Sequence, residues 1–562
     1  MTRVFDDPTD FADDLLDGFV AANRQYVARA DGGVVRSTVV PDGRVALVIG
    51  GGSGHYPAFA GLVGQGLAGA SACGNIFASP AAAQIYRVAK IANRGGGILL
   101  SYGNYAGDVL NFDEAQERLR AEGIDVRTVL GTDDIASGSI DEIGKRRGIA
   151  GELALFKVAG AAAEAGFSLD EVERLARKAN ARTRTLGVAF AGCTLPGASE
   201  PPFTVPDGEM SIGLGIHGEP GISSVPVPSA SGLASLLVDR LLAERPAGAG
   251  TRVVPILNGL GTVKYEELFV LFGKVAALLQ AAGLEIVEPE CGELVTSLDM
   301  SGLSLSLFWI DDELAELWGA PADSPAYRKG AAQRAVPAGI ASPAIREAVH
   351  EEATPASVAA AGTAATLLAA IEDTVVGNAE RLGALDAIAG DGDHGIGMTR
   401  GARAAAAASS RAVADGRGLH ETLVVASEEW SERAGGTSGA LWAAALAAAA
   451  DSLANRDSYE RADAVAAARA ALNAITARGS AVVGDKTMVD AWDPWVAALE
   501  AGESFATAAA IATEAALATA NLTPRLGRAR PLAEKSLGHP DAGAVSFALI
   551  ATRIAEESMD KS

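Results

Sequence analysis

The sequence predicts an α/β N-terminal domain built as two lobes, followed by an all-α C-terminal domain, and three observations carry that prediction. Over the first 330 residues, short β-branched runs alternate with helical stretches and glycine turns. A segment rich in Ala, Pro and Ser then breaks the pattern. Beyond it the strand signals vanish, and Ala-rich stretches with helical periodicity take over.

In chain order, strands are expected at 45–49, 98–100, 126–130, 188–190, 253–257 and 303–310, each a short run enriched in Val, Ile, Leu or Phe. They fall into two sets with a glycine-heavy crossing over 183–211. The first domain therefore spans 1–332, its lobes split near 180–200. Residues 333–360 form a linker, marked by Ala335-Val-Pro-Ala, Ala341-Ser-Pro-Ala and Ala353-Thr-Pro-Ala-Ser, with room for a short helix over 343–352. Helices at 403–410, 439–453, 462–476 and 505–520 build the second domain, 361–562, where small side chains let them pack closely. A chain of 562 residues is too long for one core, so several domains are required in any case.

Bulk properties narrow the partners. A net charge of −24 leaves no basic cluster to displace phosphate counterions, which argues against nucleic acid. Cys73, Cys193 and Cys291 lie far apart, with neither disulfide pairing nor zinc-ligand spacing, so a reducing compartment fits. No uninterrupted run of about 18 apolar residues occurs, and the polar first residues lack a signal peptide's apolar segment. A cytoplasmic protein without a membrane partner is the expectation.

The strongest chemical signal is Asp386-Ala-Ile-Ala-Gly-Asp391-Gly-Asp393, three carboxylates on a glycine-punctuated turn. Hard oxygen donors at this density suit Mg²⁺ shared with nucleotide phosphates; the plainer reading is a solvated acidic turn. Gly435-Gly-Thr-Ser-Gly439 opens a helix, where amides and hydroxyls attract phosphate. Gly484-Asp-Lys-Thr-Met488, Gly527-Arg-Ala-Arg530 and Gly538-His-Pro-Asp541 add cations and shaped turns to the same domain. In the first domain, Gly50-Gly-Gly-Ser-Gly-His55 ends a buried strand without matching a dinucleotide fingerprint, since His55 or Pro57 falls where the third glycine belongs. Asp108 follows the turn Gly103-Asn-Tyr-Ala-Gly107 and reads as a helix cap or a base. His217 sits in Gly213-Leu-Gly-Ile-His-Gly-Glu219, off any helix face.

Together these segments resemble the dihydroxyacetone kinase family in its fused, ATP-dependent form, where a ketose-binding K domain precedes a nucleotide-binding L domain. The resemblance runs nearly end to end and includes Arg147-Gly-Ile-Ala-Gly151, Leu257-Asn-Gly-Leu-Gly261 and Thr296-Ser-Leu-Asp-Met300. It implies that His217 attacks the ketone carbonyl to hold the substrate as a hemiaminal, which a polyol such as glycerol cannot form. Asp108 would take the proton of the terminal hydroxyl, and His55 would bond the hemiaminal oxygen. Gly52, Ser53, Gly54, Tyr56 and Phe59 would complete the substrate pocket. Asp386, Asp391 and Asp393 would hold two Mg²⁺ ions on ATP, with His394, Gly395, Gly436, Thr437, Ser438, Gly484, Met488, Arg528 and Asp541 around the nucleotide. The L domain would be a ring of antiparallel helices, and the whole a homodimer through the K domain.

The chain departs from the family at two places. His55-Tyr-Pro-Ala-Phe59 stands where dihydroxyacetone-specific members read His-Glu-Pro-x-His, so a ketotetrose such as erythrulose is as fitting a substrate as dihydroxyacetone. Gly527-Arg-Ala-Arg-Pro531 replaces Gly-Arg-Ala-Ser-Tyr, which weakens the role of Arg528. The competing readings are a ketose-binding regulatory protein and a lyase that cyclises FAD on the L-domain metals.

Overall fold

Strand Ala46–Ser53, buried along all but its last residue, needs a sheet covered on both faces. A computed structural model of the chain supplies that cover. It describes residues 2–219, 221–331, 353–390, 392–527 and 529–559, which form two compact units, Met1–Ala344 and Ile345–Ser562.

Among the described residues, the first unit holds a two-stranded sheet, Ala322–Asp323 with Arg328–Lys329, and two large ones. One contains β1 (Val27–Ala30), β2 (Gly33–Arg36), β3 (Ala46–Ser53), β4 (Ala70–Ile76), β5 (Ile98–Gly103) and β6 (Val126–Gly131), in the order β1-β2-β4-β3-β5-β6. Its centre, β4-β3-β5-β6, is parallel. The other contains β7 (Thr183–Ala191), β8 (Glu209–Ile212), β9 (Ser223–Pro226), β10 (Arg252–Gly259), β11 (Glu285–Ile286), β12 (Glu290–Gly292) and β13 (Ser301–Trp309), with β10, β13 and β7 antiparallel at its core. Around them run α1 (Phe11–Asn23), α2 (Ala82–Ala92), α3 (Ala106–Ala121), α4 (Glu152–Ala165), α5 (Leu169–Ala181), α6 (Ala230–Ala243), α7 (Tyr265–Ala281) and α8 (Asp312–Gly319).

Helix α4 unites the two sheets. Every residue from Glu152 to Ala163 is buried, and its side chains join one apolar cluster with Leu47 and Ile49 of β3 and with Val254 and Ile256 of β10. Such all-round burial explains why its sequence lacks an amphipathic stripe. The outer faces are closed separately, by α2 and α3 on the first sheet and by α6 and α7 on the second.

All six expected strands exist. The expected glycine-heavy crossing over 183–211 does not begin as a loop: Thr183–Ala191 is the buried strand β7, and the chain passes between sheets earlier, through α4 and α5. Gly187 lies inside that strand, where a glycine reads as a turn signal although the neighbours simply leave it room.

The second unit is helical: α9 (Pro355–Gly377), α10 (Ala379–Asp386), α11 (His394–Ala414), α12 (Leu419–Ala434), α13 (Gly436–Leu453), α14 (Arg461–Gly479), α15 (Val489–Glu500), α16 (Phe505–Ala518), α17 (Ala533–Ser536) and α18 (Ala542–Met559). From α11 to α16 each long helix packs on the next, α16 packs on α18, and α18 returns to α9, which closes a ring. Helix α9 starts inside the expected linker, because the Thr354 hydroxyl caps it by accepting the Ser357 N–H and Pro355 occupies its first turn. Residues 332–352, with the rest of that linker and the short helix expected at 343–352, lie outside the described residues. By length and composition α9 could cross a membrane; here it packs against α11, α12 and α18.

Aromatic rings fill the ring's interior. Trp430 stacks on Trp442 at 5.5 Å between centroids, Trp442 meets Trp492 at 5.2 Å, and Trp492 stacks on Phe547 at 4.3 Å. In a wall made mostly of alanine these large side chains supply most of the contact area. Truncating the central ring, Trp492→Ala, is expected to cost about 3–5 kcal/mol, read as a lower denaturant midpoint in the helical unit's fluorescence transition.

Candidate active site

The site in the first unit begins where β3 ends. A Cβ on Gly52 would lie 2.7 Å from the Ala78 backbone nitrogen, and Gly54 adopts φ +103°, so this turn admits no ordinary side chain at either place. The turn delivers His55 to a buried position, its ring stacked on Phe77 at 5.0 Å. His217 arrives from the second sheet, on the loop after β8, folded by a Gly218 N–H to Gly215 carbonyl bond. The two Nε2 atoms stand 3.0 Å apart.

What surrounds the rings sets their chemistry. His55 Nδ1 lies 2.8 Å from the Thr296 carbonyl, which can only accept, so this nitrogen carries the hydrogen. Burial, helped by the neighbouring His217, pulls His55 down to about 3 and keeps the ring neutral at physiological pH. On the other side, Glu219 Oε1 lies 3.1 Å from His217 Nδ1, and Glu219 Oε2 accepts the His217 backbone N–H at 3.0 Å. Arg147 stands 3.7 Å from Glu219 and is itself paired with Asp134 at 2.8 Å. The Tyr105 ring meets His217 edge-on at 4.7 Å, and its hydroxyl donates to the Gly148 carbonyl.

Segment 294–298 carries the alignment of the two loops. Asn258, fully buried at the end of β10, spends its amide on it: Oδ1 accepts from Leu294 and Val295, and Nδ2 donates to the Val295 carbonyl. The segment then bonds the β3 turn, with Thr296 N–H to the His55 carbonyl and Leu298 N–H to the Gly54 carbonyl, and Ser297 donates to the Ile216 carbonyl beside His217.

Asp108 lies in the first turn of α3, in the role of an acidic residue at a positive helix end, while the cap position itself belongs to Tyr105. Nearby Glu152, the first residue of α4, fits against Gly103, Gly131 and Gly148, and burial, then Asp133 and Asp108, push its carboxyl well above the usual range. Of the other expected pocket residues, Ser53 donates to the Gly74 carbonyl. Tyr56 is half exposed at the edge, beside Phe19. Phe59, partly buried, packs on Gly51 and Phe156, and its ring meets His55 edge-on at 6.4 Å.

In the helical unit, three helix starts and one helix end converge. Asp386 ends α10, Asp393 precedes α11, Gly436, Thr437 and Ser438 form the first turn of α13, and Asp541 precedes α18. The helix of α13 thus begins at Gly436, before the expected 439, since Gly435 and Gly436 at φ +60° let the chain turn straight into it. His394, buried, ties the three starts: Nε2 bonds the Ser546 hydroxyl of α18 at 3.0 Å and Nδ1 the Ser438 hydroxyl of α13 at 3.3 Å. Gly395 allows close approach, since a Cβ there would lie 2.0 Å from the Ala379 carbonyl oxygen. Gly484 donates to Asp490, and the buried Met488 packs under Gly543 at the start of α18. Lys486 ties the loop between α16 and α18 by donating to the Leu522 and Ser536 carbonyls.

The carboxylates there repel one another. Asp393 is pushed up to about 7 by burial and by Asp386. Asp541 is pushed up to about 7 by burial, with Asp386 and Asp490 adding to it. Among the described residues no three His, Cys, Asp or Glu side chains stand close enough to hold a metal by themselves; Asp391 and Arg528 lie outside the described residues. The donors present fit Mg²⁺ all the same, because that ion takes few carboxylates and completes its shell with water and phosphate oxygens. The Asp386 side chain is already aimed by the Gly392 N–H at 2.9 Å.

The sequence motifs contain Tyr105, Arg147, Glu219, Asn258 and Thr296 without giving them roles, and they leave out Glu152. Only their contacts, from distant parts of the chain, reveal what they do.

Comparisons with known proteins agree with this arrangement. A Dak1 domain matches residues 17–326 and a DAK2 domain residues 388–556. The chain is 52% identical to an L-erythrulose kinase of Pectobacterium atrosepticum, over 98% of this chain and 95% of that protein. It is 50% identical to a D-erythrulose kinase of Mycolicibacterium smegmatis, over 99% and 98%. Its fold is similar to the crystal structure of the dihydroxyacetone kinase from C. freundii in complex with AMP-PNP and Mg²⁺, with a TM-score of 0.54, 28% identity and 99% of each chain covered.

The raised carboxyls give a test. Their folded values of about 7 exceed the ordinary 3.8, so without cation they favour the folded state below about pH 4, and that contribution is lost as pH rises through 7. Mg²⁺ should therefore raise the thermal midpoint of the full chain more at pH 8 than at pH 6. Asp393→Asn should remove most of that increment.

Proposed function

Because the chain belongs to the dihydroxyacetone kinase family, with Dak1 and DAK2 domains on one polypeptide, we propose that it is an ATP-dependent kinase that phosphorylates a terminal hydroxyl of a short-chain ketose. A four-carbon ketose, erythrulose, is the preferred substrate in this reading. Two relatives at about half identity act on erythrulose, and the rim carries Tyr56 at its exposed edge. Dihydroxyacetone is the smaller alternative.

One observation carries the mechanism: His217 is fixed by a carboxylate on Nδ1 and presents Nε2 to a second, neutral imidazole. A carboxylate behind an imidazole orients it and strengthens its outer nitrogen as a nucleophile. His217 attacks the ketone carbon and holds the substrate as a hemiaminal, while His55 bonds the oxygen so formed. Selectivity follows, since a polyol offers no carbonyl. Asp108, in the first turn of α3, takes the proton of the terminal hydroxyl as that oxygen attacks the γ-phosphorus of ATP.

On the helical side, the first turns of α11, α13 and α18 point backbone N–H groups at the nucleotide's phosphates, and Ser438 and Thr437 add hydroxyls. Asp386, Asp391 and Asp393 would hold two Mg²⁺ ions. Bound there, Mg²⁺ supplies charge neutralisation at the transferred phosphoryl group. A homodimer through the N-terminal domain and a cytoplasmic location complete the proposal.

The test is ADP release with Mg·ATP against D-erythrulose, L-erythrulose, dihydroxyacetone and glycerol. Turnover of a ketose but not glycerol is expected, and no turnover of any ketose would overturn the proposal. His217→Ala should act mainly on KM, and Asp108→Asn should lower kcat by about 10²–10⁴-fold.

A further inference from the structure

The hydrogen-bond inventory around the two histidines does not close with neutral rings. The Thr296 carbonyl requires a hydrogen on His55 Nδ1, so the neutral His55 ring faces its partner with a lone pair on Nε2. Glu219, taken as a carboxylate beside Arg147, accepts from His217 Nδ1 and so requires a hydrogen there. A neutral His217 would then also face inward with a lone pair, and two lone pairs at 3.0 Å repel. One further proton must lie between the Nε2 atoms. Counted with Glu219 as the carboxylate in contact, the pair holds one proton more than two neutral rings. Arg147 stands closer to Asp134, at 2.8 Å, than to Glu219, at 3.7 Å. Among the described residues, the rings of Phe59, Phe77 and Tyr105 also meet the pair with faces and edges.

We propose that Glu219, held by Arg147, is the positioning residue that carries His217 through ketone capture as its counter-charge, so that the C–N bond forms with no net proton taken from solvent. The proposal rests on the capture reading above. The shared proton moves onto His55 Nε2, which frees the His217 Nε2 lone pair. That pair forms the bond to the carbonyl carbon, the C=O π electrons move onto oxygen, and this oxygen takes the proton back from His55. The product ring is substituted on Nε2, still protonated on Nδ1 and therefore cationic, opposite Glu219 as before. Total charge is the same on both sides. Burial of the site raises the value of a matched charge, because an unpaired imidazolium there would be poorly solvated.

Two measurements on the full chain test this. With dihydroxyacetone labelled with ¹³C at the carbonyl, the wild type should replace the bound carbonyl resonance by that of a tetrahedral carbon. Glu219→Gln, which keeps the shape and removes the charge, should lower the adduct population at least tenfold, and Glu219→Asp should restore part of it. Calorimetric titration of the wild type with the same ketose, in two buffers of different ionisation enthalpy, should show no proton taken up per adduct. An adduct unaffected in Glu219→Gln, or uptake of one proton in the wild type, overturns the proposal while leaving capture intact. A wild type that turns over ketose without any tetrahedral resonance overturns capture itself, and this proposal with it. The proton count needs no variant, so a misfolded Glu219→Gln cannot shelter the idea.

Discussion

The approach of His55 to His217 at 3.0 Å is the contact on which the chemistry proposed for the first unit depends. One ring belongs to the parallel sheet and the other to the antiparallel one, so a small shift between sheets would part them. Two devices prevent that shift. Helix α4 lies buried against the inner faces of both sheets, and close-packed interiors resist sliding. Segment 294–298, held by Asn258, bonds the backbone on both sides of the pair. A buried asparagine with its acceptor and donor both used is costly to remove and therefore specific in what it fixes.

The helical unit solves a different problem, the gathering of three helix N-termini at one place. His394 sits where they meet and offers a ring nitrogen to a hydroxyl on each of two other helices. Burial lowers its tendency to charge, which suits a ring used as a neutral brace rather than as an acid. The acidic residues nearby would be unfavourable by themselves, as the raised Asp393 and Asp541 attest. A cation turns that repulsion into affinity. The aromatic chain Trp430, Trp442, Trp492 and Phe547 joins α12, α13, α15 and α18.

Much of the candidate site was legible because glycine and aspartate leave local marks. The turn before His55 and the glycines around His217 announce backbone shapes that other residues cannot adopt. The acidic turn from Asp386 to Asp393 announces charge in need of a partner. Less was legible where a residue acts through a distant neighbour. Glu219 looks like any loop glutamate until His217 Nδ1 and Arg147 are placed against it. Phe59 reads as a pocket residue because it follows His55 so closely, and only the fold shows that its ring also packs on Gly51 and Phe156.

By itself the sequence determined the order of elements, the change from α/β to all-α, and the identity of the side chains able to do chemistry. These follow from local rules: periodicity sets helix or strand, and chain stiffness sets turns. Tertiary structure alone decided that Thr183–Ala191 is a central strand, that α4 serves two sheets, and that two histidines 162 residues apart share one proton's worth of space. Those outcomes depend on which apolar faces pack together and how closely, and packing is a property of surfaces brought together by folding rather than of any one segment.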